Sequence, residues 1–156
     1  MHRSRIIRLI PMKTSTLLLI ATLAASPLLA DAPDFQKDLQ KTVHAATKDN
    51  KMAFILLGRA ACENCNATKA MIREGKIPVT ADTFVAADLN IDDQRVQAAF
   101  MQKYQKEKFG NTLPFVVITD SHGKALASSS GYKSAEAWST LIEEAKKKIA
   151  AKSGTR

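Results

Sequence analysis

Apolar residues along this chain fall into two rhythms, three-and-four spacing and short continuous runs. Phe35, Leu39, Val43 and Ala46 recur at four, four and three, which predicts a helix from a cap at Asp34 to about Lys48. The run Met52 to Leu57 has strand length and few polar breaks, as a central strand covered on both faces would. Asn66 to Glu74 reads as a second helix, with Met71 and Ile72 turned inward and Gly75 and Pro78 ending it. Thr83 to Leu89 reads as a strand around Phe84 and Val85. Asp92 or Asp93 then caps a helix carrying Val96, Ala99, Phe100 and Tyr104, which ends near Phe109-Gly110-Asn111. Leu113 to Thr119 is a strand headed by proline, and Asp120 to Gly123 turns it into a second strand, Lys124 to Ser129. Ser134 caps a last helix with Trp138, Leu141, Ile142, Ala145 and Ile149 on one face, and residues 151–156 read as a frayed basic tail.

The order is helix, strand, helix, strand, helix, strand, strand, helix. Strand–helix–strand near the start requires parallel strands and a crossover, while the later hairpin is antiparallel. The expected fold is therefore α/β, a three-layer α/β/α sandwich with a mixed sheet of about four strands. No repeat or long linker divides the stretch, so residues 31–150 read as one domain.

Composition agrees with a small globular domain: 156 residues, 46% hydrophobic and 24% charged. The formal charge is +8. Four of the 23 basic residues, Arg3, Arg5, Arg8 and Lys13, fall in the first 30, which hold no acid; 19 bases then face 15 acids, a net of +4. That remainder is spread along the chain without interleaved aromatics, the pattern of a solvated surface rather than a nucleic-acid site. The N-terminus is laid out as a secretory signal over residues 1–30: basic residues, an apolar run from Leu17 to Leu29, then Ala30 at the expected cut. Met12-Lys13 would itself open a compact signal, so residues 1–11 read as an upstream start. The apolar run is short for a membrane span of about 20 residues; an uncleaved anchor is the alternative. The expected location is periplasmic or secreted, where disulfides persist.

The chemistry concentrates at Gly58-Arg59-Ala60-Ala61-Cys62-Glu63-Asn64-Cys65, which joins the first strand to the second helix and holds both cysteines of the chain. Spacing by three puts the two sulfurs on one helical turn, within bonding reach, and a strand, a turn, Cys-x-x-Cys and a helix is the pattern of a redox dithiol. Cys62 falls at the cap, where free N–H groups and the helix dipole favour a thiolate; Cys65, one turn deeper, would resolve a mixed disulfide. Arg59 favours that thiolate and Glu63 opposes it. Two other readings stand beside this one. A structural disulfide would close too small a loop to constrain the unfolded chain much. A zinc site would need His2, His44 or His122 to join the cysteines, and His44 and His122 read as surface residues.

Taken together, Cys62-Glu63-Asn64-Cys65 after a buried strand, Leu113-Pro114 heading a later strand and Gly131 before the last helix resemble the thioredoxin superfamily, over Phe35 to Ile149. The resemblance implies a cis bond at Pro114, beside the cysteines, with the backbone of Leu113 pairing with a bound substrate chain. It also exposes departures. Ala61 stands where many thioredoxins have Trp before the first cysteine, and Glu63-Asn64 replaces Gly-Pro. Leu56 stands where a buried acid is typical, six residues before the first cysteine.

The expected function is a thiol–disulfide oxidoreductase using Cys62 and Cys65, with Leu113 and Pro114 binding substrate and Arg59 and Glu63 tuning the thiol. No metal or organic cofactor is expected. The partners would be client proteins with thiols or disulfides and a redox partner, membrane-bound in one version, and no nucleic acid. From other classes, the alternatives are a protein-binding module without redox turnover and a protein handling Cu(I) through its two soft thiolates.

Overall fold

A computed structural model describes residues 31–153. The signal segment expected over residues 1–30 lies outside the described residues. The elements are β1 (Phe35–Gln36), α1 (Leu39–Asp49), β2 (Met52–Gly58), α2 (Glu63–Arg73), β3 (Phe84–Asn90), α3 (Gln94–Lys103), β4 (Phe115–Thr119), β5 (Ala125–Ser130) and α4 (Ala135–Ser153). They form one mixed sheet in the order β1-β3-β2-β4-β5. β1–β3 and β3–β2 are parallel, and β2–β4 and β4–β5 antiparallel. The α/β sandwich expected from the sequence is present, with five strands rather than about four.

β2 is the axis of the sheet, and all seven of its residues are buried. Its alternation sorts the core into two halves, as the two-residue period of a strand requires. Phe54 and Leu56 pack with Phe84, Ile72 of α2 and Trp138 and Ile142 of α4. Ala53, Ile55 and Leu57 face the other way, onto Leu39 of α1 and Phe100 of α3. Helices α2 and α4 thus cover one face of the sheet and α1 and α3 the other.

The fifth strand is β1, where the sequence suggested the start of a helix. Phe35 and Leu39 share helical spacing but lie on opposite sides of the sheet, Phe35 against the α2/α4 core and Leu39 within the α1/α3 core. One helix face cannot serve both. Asp38, rather than Asp34, caps α1: its carboxylate accepts from the Lys41 N–H at 2.8 Å. Phe35 and Gln36 instead pair with Ala86 and Ala87. Helix α3 also stops earlier than its pattern suggests, at Lys103; Phe109 folds back to stack on Phe115 at 5.1 Å between ring centres. Helix α4 runs through Ser153, three residues into the stretch expected as a tail.

Trp138 is fully buried and meets Phe54 edge-on, with ring centres 5.7 Å apart. Trp138→Ala is expected to cost about 3–5 kcal/mol of stability through lost burial and the cavity left. Denaturant unfolding followed by far-UV circular dichroism would measure this. An exposed control, Lys147→Ala, should stay within about 0.5 kcal/mol of the parent.

Candidate functional site

The fully buried strand β2 ends at Gly58, and the chain turns through Arg59, Ala60 and Ala61 into α2. Backbone bonds fix this turn: the Cys62 N–H donates to the Arg59 carbonyl (3.2 Å) and the Ile91 N–H to the Gly58 carbonyl (2.7 Å). Cys62 is the N-cap of α2, in extended conformation, and its sulfur accepts from the Cys65 N–H at 3.1 Å. Helix α2 therefore begins at Glu63, earlier than its hydrophobic pattern suggested, because the cysteine supplies the capping acceptor.

Cys62 and Cys65 are joined in a disulfide, with Cα atoms 5.2 Å apart. The two sulfurs sit in unlike surroundings. Cys65 is wholly buried, and Cys62 is partly exposed at the helix mouth. Gly58 is what lets Cys65 go so deep. A Cβ built on Gly58 would lie 2.5 Å from Cys65 Sγ, so any side chain there meets the sulfur.

Leu113 and Pro114 lie beside this helix. The Leu113–Pro114 peptide is cis, and the Leu113 carbonyl accepts from the Asn64 side-chain amide at 3.3 Å. Leu113 and Cys62 pack against the same core cluster. The four residues Cys62, Cys65, Leu113 and Pro114 are thus brought together, and Asn64, inside the cysteine motif, bridges to the proline loop. Arg59 and Glu63 are placed differently. The Arg59 guanidinium pairs with Asp92 at 3.1 Å, with both side chains about half exposed, and Glu63 points into solvent on the first turn of α2. Leu56 is fully buried in the α2/α4 core, in the place where the resemblance would put an acid.

Sequence reasoning missed a carboxylate nearby. Asp88 lies directly across from Leu56 in the β2–β3 ladder. Its Oδ2 accepts from Lys69 at 2.9 Å and from Lys37 at 2.8 Å. Lys69 is 9% exposed and sits one turn below Cys65 on the inward face of α2. The signal for it was the spacing Cys65, Thr68, Lys69, Ile72, which sets a lysine among inward positions. Burial raises the Asp88 pKa, but the hydrogen bonds and charges of Lys37 and Lys69 together outweigh it and hold the carboxyl below its ordinary value. Among the described residues no cluster of three or more His, Cys, Asp or Glu is placed to hold a metal ion.

No protein-family model matches the chain, and no curated protein matches it. Solved structures do. One is a mutant thioredoxin from Halobacterium salinarum NRC-1, at 17% identity and a TM-score of 0.53, covering 73% of this chain and 90% of that one. Another is described as DsbH oxidoreductase, at 14% identity and a TM-score of 0.51, covering 77% and 88%. The chain has a thioredoxin-like fold, with the Cys62–Cys65 pair at the head of α2.

Two outcomes follow from this geometry. Gly58→Ala should lower the stability of the oxidised protein by about 1–3 kcal/mol, the usual cost of forcing atoms into a packed site, read from the denaturation midpoint. Asp88 is a group with a depressed folded pKa. Its contribution to stability is complete above the unfolded value, about 4, and is lost as pH falls through the folded value. The stability gap between the parent and Asp88→Asn should therefore be widest near neutral pH and shrink below about pH 4.

Proposed function

We propose that the protein is an exported thiol–disulfide oxidoreductase. The observation that carries this reading is the asymmetry of its cysteine pair: one sulfur at an open helix N-terminus, the other sealed behind it. Free N–H groups and the helix dipole stabilise a thiolate on Cys62. That thiolate attacks one sulfur of a client disulfide; a Cys62–client bond forms, the client disulfide breaks, and the leaving sulfur takes up a proton from water. Cys65, once deprotonated, attacks Cys62 Sγ, re-forms the Cys62–Cys65 bond and releases the second client sulfur. The client gains two electrons, the pair loses two, and a dithiol partner restores the reduced pair. The same steps in reverse oxidise a client dithiol. The relative potentials of the two couples set the direction; a value near about −270 mV marks a reductant and one near about −120 mV an oxidant.

Leu113 and Pro114 form the surface against which the client backbone lies. The segment before residue 31, basic and then apolar, supports export to a space where disulfides persist. The rival reading is a binding module with idle thiols, which the apolar Leu56 beneath the pair favours.

Cys65→Ser separates the two. Reduced and mixed with a disulfide-bearing protein substrate, it should accumulate a covalent complex through Cys62 that reductant dissolves. Cys62→Ser should form none, and the parent should turn over. Absence of any trapped complex across several substrates would leave the binding module as the better account.

A further inference from the structure

A cleft of about 510 Å³ opens on the side of the cysteine motif away from the proline loop, between the β2–α2 turn, one stripe of α2 and the end of β3. Its lining carries four cations, Lys37, Arg59, Lys69 and Arg73, against one carboxylate, Asp88. The charges do not cancel. Lys37 and Lys69 share the single Oδ2 of Asp88. Arg59 has Asp92, an exposed partner. Arg73 lies over the Phe35 ring, 5.4 Å from its centre, and has no carboxylate at ion-pair distance among the described residues; neighbouring Glu74 pairs with Lys76 instead. A positive excess in a concave site with low-dielectric walls focuses its field and draws in anions.

The cleft also adjoins the turn that carries the cysteine motif. Gly58, in its lining, is the residue packed against Cys65 Sγ, and Arg59 and Ala60 lead directly into the Cys62 cap. Three residues of extended chain reach about 10 Å, so a client held by a bond to Cys62 can lay a neighbouring side chain into it.

We infer that this cleft receives an acidic segment of the client, so that the protein acts preferentially on cysteines flanked by Asp or Glu. The inference rests on the exchange reading above and deepens it. The proline loop offers backbone contacts, which are blind to sequence; the cleft supplies the selectivity.

The test uses the full chain and three disulfide-linked peptide probes, identical except for Glu-Glu, Gln-Gln or Lys-Lys placed two residues from the cysteine. At low ionic strength the Glu probe should react with the reduced protein about tenfold faster than the Gln probe, and the Lys probe slowest. The difference should shrink at about 0.5 M salt, where screening is within a few ångströms. Lys37→Gln with Arg73→Gln should bring the Glu-to-Gln ratio towards one, while Lys147→Gln on the distant α4 should leave that ratio unchanged. Equal rates for the three probes would overturn the cleft and leave exchange standing. A cysteine-free Glu-rich peptide, titrated into isotope-labelled protein, reads the cleft without chemistry: backbone shifts centred on Gly58, Arg59 and Asn90 support it, and their absence counts against it. Such shifts with no reaction of any probe would keep the cleft and overturn the exchange reading. Equal shifts with inorganic phosphate would overturn the preference for a peptide.

Discussion

Contact between the last residue of β2 and the sulfur of Cys65 is the constraint on which this end of the molecule depends. β2 is buried on both faces, so its end is fixed in space. Gly58 has no side chain, so α2 can drop its first turn onto that end and bury Cys65 completely. Cys62 is then left one turn higher, at the cap, where its sulfur already accepts a backbone N–H. The difference in exposure between two cysteines only three residues apart thus comes from a missing methyl group in a strand.

The two flanks of the motif are unlike. On one, the proline loop is tied to α2 by the Asn64 amide, which donates to the Leu113 carbonyl. A carbonyl has a second lone pair, so this bond leaves room for a further donor there. On the other flank, charges dominate, and Asp88 stands there on β3, across from Leu56. The place where the resemblance implied an acid is thus apolar, and the carboxylate one strand over is already bound to two lysines.

Much of this was legible in the sequence. The run from Met52 to Leu57, the glycine before the motif and the cysteine spacing were enough to place the strand, the turn and the cysteine helix, except for that helix's first turn. Leu113-Pro114 lies beside α2, tied to it by the Asn64 amide. Three things were hidden. The Phe35 to Ala46 spacing looks helical, yet Phe35 and Leu39 belong to opposite faces of a sheet, which only tertiary packing decides. Arg59 is near Cys62 in sequence, but its guanidinium turns to Asp92, a choice made by a loop far along the chain. Lys69 and Asp88 meet through register between α2 and β3, and no local pattern reports such a pairing.

The brevity of β1 has a consequence for how molecules meet one another. It covers β3 only opposite Ala86 and Ala87. The next residue, Lys37, reaches out to the Asp88 carboxylate, so the ladder stops at an ion pair. A two-residue border finished by a lysine is a poor template for a foreign strand. At this border, though not at β5 on the opposite one, the sheet therefore resists growing sideways into a neighbour, a useful property for a protein whose proposed work is to hold other chains.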